Sequence, residues 1–230
     1  QLERMETMRR DFIANVSHEL KTPLTVVAGF SEMLADDYAA CNEEEVAHYL
    51  KLICEQNARM QRLIEDLLTL SSLETGSSAP IEERVPVAPM LQSILADAQA
   101  LSAGRHEITL AVDEQTVIRG CANELRSAFG NLAGNAVRYT PAGGLITVDW
   151  QCQDDGGARF CVRDSGPGIA PDHLARLTER FYRVDASRSN SGNNHGLGLA
   201  IVKAIALMHG GDVFVRSDHG MNTFGIHLPV

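Results

Sequence analysis

The sequence predicts two domains in series, an α-helical hairpin and then an α+β sandwich with helices on one face of a mainly antiparallel sheet. Three observations carry this expectation. Apolar residues recur at helical spacing through two long stretches, Leu2 to about Asp36 and Val46 to Leu70. The segment Glu74 to Arg84 then loses all periodicity and collects glycine, serine and proline. Beyond Val85, short blocks of strand-like and helix-like period follow one another.

Each element can be justified in order. Leu2, Met5, Phe12, Val16, Leu20, Leu24, Val27 and Leu34, with charge between them, predict a first helix of ~50 Å at about 1.5 Å per residue. A break from Asp36 to Asn42 ends it. Asn42 followed by Glu43, Glu44 and Glu45 makes a helix cap and an acidic first turn, and Val46, Leu50, Ile53, Met60, Leu63, Leu67 and Leu70 carry the second helix. An antiparallel hairpin with one apolar stripe per helix encloses no core alone. Pairing with a second copy gives a four-helix bundle, so a homodimer is expected. Residues 1–75 form this first domain, 76–84 a linker and 85–230 the second domain. There the pattern predicts helices at Ala88–Ser102, Asn123–Tyr139 and Leu197–His209. Strands are expected at Ile108–Val112, Val117–Gly120, Leu145–Cys152, Arg159–Arg163, Asp212–Ser217 and Thr223–Leu228.

Composition narrows the functional classes. With 44% apolar residues and a net charge of −10, the chain reads as globular and as a poor general partner for nucleic acid or anionic lipid. Cys41, Cys54, Cys121, Cys152 and Cys161 form no C-x-x-C pair, which predicts scattered buried thiols in a reducing cytoplasm. No apolar run approaches the roughly 20 residues of a membrane-spanning helix, so no membrane contact by this chain is expected. The helical pattern is already running at Gln1, as in a piece of something longer.

Chemistry gathers at four places. Ser17-His18-Glu19-Leu20-Lys21-Thr22-Pro23-Leu24 puts a nucleophile, a carboxylate and a hydroxyl on one segment of the first helix. Pro23 has no N–H for the Glu19 carbonyl, so the helix should bend beside His18. On the Asn123–Tyr139 helix, Asn131, Asn135 and Arg138 share a face. The amide carbonyls are hard oxygen ligands suited to Mg2+ arriving with phosphates. Asp164-Ser165-Gly166-Pro167-Gly168-Ile169 follows a strand, its glycines permitting close backbone approach and Asp164 offering an acceptor to a group such as the adenine amino. Finally, Gly192-Asn193-Asn194-His195-Gly196-Leu197-Gly198-Leu199 opens onto a helix N-terminus, which favours phosphate. There is no G-x-x-x-x-G-K-[ST] P-loop.

Taken in order, these segments resemble the five signature boxes of the two-component sensor histidine kinases. Ser17 to Leu24 resembles the H box, Asn131 to Pro141 the N box, Asp164 to Ile169 the G1 box, Arg180 to Asp185 the F box and His195 to Leu199 the G2 box. The resemblance implies a dimerisation and phosphoacceptor domain followed by a Bergerat-type ATP-binding sandwich. His18 is then the phosphoacceptor, Glu19 the base that holds its tautomer, and Thr22 the residue that positions water for dephosphorylating a response-regulator receiver domain. For the cofactors ATP and Mg2+ it implies Asp164 on adenine, with Tyr139, Gly166, Gly168 and Ile169 enclosing it. Asn131 and Asn135 would hold the metal, and Arg138, Arg183, Gly196, Leu197 and Gly198 would face phosphate. It further implies the cytoplasmic portion of an inner-membrane protein. A kinase-impaired nucleotide-binding module acting mainly as a phosphatase is the alternative. Two departures from the family pattern stand out. Asn193 and Asn194 replace glycines and would stiffen the lid, and Asn222 replaces the second glycine of Gly-x-Gly-Thr, where its tolerance of left-handed backbone predicts reduced affinity rather than a dead site.

Overall fold

The computed structural model describes residues 2–37, 41–75, 83–112, 116–153, 156–184 and 195–229. The chain forms two compact units, Gln1–Leu68 with Asp185–His195, and Thr69–Val184 with Gly196–Val230. The expected linker lies mostly outside the described residues.

In the first unit, α1 (Leu2–Asp37) runs unbroken through Pro23 and is followed by α2 (Glu43–Glu74), whose last turns belong to the second unit. The start of α2 is a reciprocal cap. Glu45 N–H donates to Asn42 Oδ1 at 2.9 Å while Asn42 N–H donates to Glu45 Oε2 at 3.0 Å, which satisfies two donors that the helix leaves unpaired. Phe30 stacks on Tyr49 with centroids 5.2 Å apart, and Arg59 reaches Glu19 at 3.4 Å. Partner numbers fall along α2 as they rise along α1, so the helices are antiparallel. Ile13, Leu24, Met33, Leu50, Ile64 and Leu68 remain exposed.

After the end of α2 the second unit continues with β1 (Arg84–Pro86), which pairs antiparallel with β3 (Val117–Arg119) and was not expected from the sequence. Three residues are too few for alternation to show. Next come α3 (Val87–Ser102), β2 (Glu107–Ala111), α4 (Ala122–Tyr139), β4 (Leu145–Cys152) and β5 (Gly157–Asp164). The short α5 (Pro171–Leu174), also unforeseen, precedes α6 (Gly198–Met208), β6 (Asp212–Asp218) and β7 (Met221–Pro229). The sheet order is β2-β4-β5-β7-β6, antiparallel except for the parallel β2–β4 pair. Ile146, Val148 and Trp150 on β4 and Ala158, Phe160 and Val162 on β5 alternate inward and are buried. Over this face lie α3, α4 and α6. The core centres on Phe129 of α4, stacked on Phe160 at 4.2 Å and edge-on to Trp150 at 5.9 Å. The expected α+β layering is therefore present.

The cysteines depart from expectation. Of the five, Cys161 alone is buried, while Cys54 and Cys152 are exposed, because the polar face of α2 and the end of β4 carry the latter pair to the surface. Burial, reinforced by the neighbouring Asp149 carboxylate, pushes the Cys161 thiol up to about 11. At about pH 8 the native protein should be alkylated by iodoacetamide at Cys54 and Cys152, with Cys161 modified only in denaturant. Peptide mass mapping checks this, and early Cys161 labelling would contradict the packing.

Candidate functional site

The first unit carries His18 exposed on α1, Glu19 half-buried beside it and Thr22 exposed one turn on. Neither ring nitrogen of His18 has a partner among the described residues, so both lone-pair and N–H positions face outward. Hydroxyls take up the carbonyls of this turn. Ser17 Oγ donates to Ile13 O at 2.8 Å, Thr25 Oγ1 to Lys21 O at 2.9 Å, and Thr22 Oγ1 to His18 O at a long 3.4 Å that is easily released. Pro23, buried, has no N–H to donate to Glu19 O. Glu19 is engaged with groups that the sequence did not suggest. Its Oε2 receives Arg59 Nη2 at 3.4 Å and, within the same unit, His195 Nδ1 at 2.9 Å. His195 is buried, with Nε2 unbonded among the described residues. Neither contact sets the carboxylate on the His18 ring.

The second unit gathers the other expected residues in two groups. Asn131 Nδ2 donates to Ser127 O at 2.9 Å, one turn back on α4, which leaves Oδ1 directed at the start of α6. A Cβ added to Gly198 would lie 2.9 Å from that Oδ1 and 4.0 Å from Asn135 Nδ2. Arg138 Nη1 donates to Asn135 Oδ1 at 3.4 Å. At α6 the cap position is Leu197, fully buried, which gives no side-chain acceptor to the first N–H groups of the helix. A hard amide oxygen beside open backbone donors is the donor set for a metal–phosphate pair, so these residues fit magnesium brought in by a nucleotide. The loop before α6 is fixed by the segment holding Arg183. Gly196 has φ +71° and accepts Phe181 N–H at 2.9 Å, and Phe181 itself has φ +63°. Arg180 pairs with Glu74, and Tyr182 is held by His173 at 2.5 Å and by the Arg176 guanidinium 4.2 Å over its ring. Arg183 is half-buried and makes no hydrogen bond among the described residues.

The second group surrounds Asp164, which ends β5 and is 2% exposed. Burial pushes its carboxyl above the ordinary range, opposed by hydrogen bonds from the Asn222 side chain and the Gly166 backbone. Both donors reach Oδ1 at 2.9 Å. A Cβ on Gly166 would collide with Asp164 Oδ1 at 2.6 Å and crowd the Tyr139 carbonyl at 3.3 Å, so a side chain there is excluded. Gly168 has room, its added Cβ meeting Ser217 Oγ at 3.7 Å. Ile169 is half-buried, and Tyr139 is 52% exposed. Asn222 corrects an expectation, because it sits within β7 with its side chain buried and does not occupy left-handed backbone. That conformation falls instead on His219 and Gly220. Asn193 and Asn194 lie outside the described residues. Sequence reasoning missed Ser217, Arg59 and the role of His195, and the replaced glycine at Asn222 was the one available signal.

Comparison with known proteins gives a consistent set of likenesses. Residues 8–76 match the His Kinase A (phospho-acceptor) domain, and residues 120–230 match the histidine kinase-, DNA gyrase B- and HSP90-like ATPase. The phosphate regulon sensor protein PhoR of Pseudomonas aeruginosa is 47% identical over 226 residues, covering 97% of this chain and 51% of PhoR. The chain thus spans about half the length of that relative. The Acinetobacter baumannii histidine kinase AdeS superposes with a TM-score of 0.75 at 23% identity, over 92% of this chain and 97% of that one. Histidine kinase ThkA, solved in complex with response regulator protein TrrA, gives 0.76 at 17% identity, over 99% and 63%. At these identities the structural likenesses speak to the fold.

Proposed function

The chain belongs to the two-component sensor histidine kinases, and from that premise we propose that it phosphorylates its own His18 from ATP and passes the phosphoryl group to an aspartate of a response-regulator receiver domain. The carrying observation is the convergence of Asn131, Asn135 and the open start of α6 on one side of α4, with Asp164 supplying a buried acceptor for adenine. Asn131 and Asn135 would hold magnesium, whose charge offsets that of the phosphates. A ring nitrogen of His18 attacks the γ-phosphorus, the N–P bond forms as the P–O bond to the β-phosphate breaks, and ADP leaves. The proton on the other ring nitrogen passes to Glu19, once that carboxylate is released from Arg59 and His195. Arg138, Arg183 and the Gly196 and Gly198 backbone face the phosphate charge. The exposed apolar residues of α1 and α2 support a homodimer closing a four-helix bundle, and the solved ThkA complex supports a response regulator as partner. With ATP as donor, the chain works on the cytoplasmic side as part of an inner-membrane sensor, and no helix among the described residues is long and apolar enough to cross a membrane.

Incubation with γ-labelled ATP and then with a panel of receiver domains tests this reading. Label should appear on the chain and move to one receiver. Tight nucleotide binding without any label would favour the kinase-impaired alternative. Thr22, exposed and weakly bonded, is proposed to place the water that removes phosphate from the receiver. Thr22→Ala should slow that dephosphorylation by about tenfold or more, and by more than it slows autophosphorylation. Equal slowing of both would remove the role.

A further inference from the structure

Asp164, Asn222 and Ser217 stand abreast on three neighbouring strands, since Asn222 is in register with Asp164 across β5–β7 and with Ser217 across β6–β7. Their hydrogen bonds run in one direction. The Ile169 N–H, which can only donate, reaches Ser217 Oγ at 2.8 Å, so the Ser217 hydrogen goes onward to Asn222 Oδ1 at 2.7 Å. That fixes the amide with Nδ2 toward Asp164 Oδ1 at 2.9 Å and Pro167 O at 3.1 Å. A flipped amide would oppose its oxygen to both of these acceptors. The Gly166 N–H completes the set on Asp164 Oδ1 at 2.9 Å.

We propose that Asn222, oriented by Ser217, is a positioning residue that holds Asp164 as a hydrogen-bond acceptor and so selects a 6-aminopurine nucleotide over a 6-oxopurine one; this rests on Asp164 being the base-recognising group. With Oδ1 saturated by two donors, Oδ2, which receives no hydrogen bond from the described residues, is the oxygen left for the base. As an ionised acceptor it takes an exocyclic amino N–H and repels a carbonyl oxygen. Burial drives Asp164 toward the protonated form, and the Asn222 N–H opposes that drive. Without Asn222, a proton on Oδ2 would turn the same position into a donor that accepts the 6-oxo group. The residue that replaces a family glycine therefore sharpens the site.

The test measures displacement of a fluorescent ATP analogue from the chain by ATP and by inosine triphosphate, in magnesium buffer, with folding followed by circular dichroism. Wild type should prefer ATP by about thirtyfold or more, and Asn222→Ala should cut that preference about tenfold. Ser217→Ala, which keeps the Asn222 side chain but frees its amide to swing, should cut it about threefold and serves alone if Asn222→Ala does not fold. An equal loss of both nucleotides in these folded variants, or an unchanged preference, would overturn the role. Asp164→Asn binding ATP as tightly as wild type would instead remove the base-recognition reading beneath it.

Discussion

Replacing His18 with glutamine abolishes acid-labile, base-stable label from γ-labelled ATP, a loss of at least about a thousandfold. Four of the seven other histidines have a ring nitrogen committed to a neighbour. His209 is locked in one tautomer, Nδ1 donating to Ile205 O at 2.9 Å and Nε2 accepting Cys121 N–H at 3.2 Å. His106 spans Ser102 Oγ and Thr140 O, His173 holds Tyr182, and His195 faces Glu19. A ring nitrogen whose lone pair or proton is committed is a poor nucleophile. His18 is exposed with neither nitrogen partnered among the described residues, on a rigid helix rather than a loop. Because the side chain supports no packing, glutamine there should cost no more than about 0.5 kcal/mol of stability. The loss of label then reports chemistry. Residual label that resists acid, or that maps to another histidine, would move the phosphoacceptor elsewhere.

How legible these features were depends on the distance along the chain over which the determining contacts act. Helical spacing is local. Asn131, Asn135 and Arg138 fall on one face because residues three and four apart are neighbours on any helix, and the Asn42 cap needs only Glu45. The apolar stripes similarly located α1 within a residue and α2 within three or four at each end. Sheet register is not local. That Asn222 lies opposite both Asp164 and Ser217 depends on three strands separated by 58 and 5 positions, and no periodicity in β7 reports it. The glycine pattern led instead to a backbone argument for Asn222, which failed because the turn placed its positive φ angles two and three positions earlier, at Gly220 and His219. The Glu19 partners were hidden for the same reason, Arg59 lying 40 and His195 176 positions away. Cysteine exposure also escaped composition, since it depends on which helix face and strand end each residue reaches.

Two glycines at the start of α6, Gly196 before it and Gly198 within its first turn, separate what the fold needs from what the chemistry needs. Gly196→Ala should destabilise the chain by about 3 kcal/mol, because left-handed backbone costs roughly 1–2 kcal/mol and overpacking roughly 1–3 kcal/mol. Gly196 sits at φ +71°, and its new Cβ would fall 2.7 Å from the Phe181 carbonyl carbon and 2.9 Å from both Phe181 Cα and Tyr182 O, all backbone that cannot step aside. Gly198→Ala has the opposite signature. Alanine gains at most about 1 kcal/mol of helix propensity there, with no positive φ to oppose it. Its Cβ meets Asn131 Oδ1 at 2.9 Å, the far end of a side chain that can swing away. Swinging away removes the oxygen directed at the start of α6 and breaks its alignment with the first N–H groups. Gly198→Ala should therefore melt at or above the wild-type temperature while losing at least about tenfold in magnesium-dependent ATP affinity. Thermal melts with and without nucleotide, paired with the analogue-displacement assay, separate the two outcomes. A Gly198→Ala protein that binds magnesium and ATP as wild type does would show that Asn131 does not meet the nucleotide from this side of α4, and the assignment of Asn131 and Asn135 to the metal would go with it.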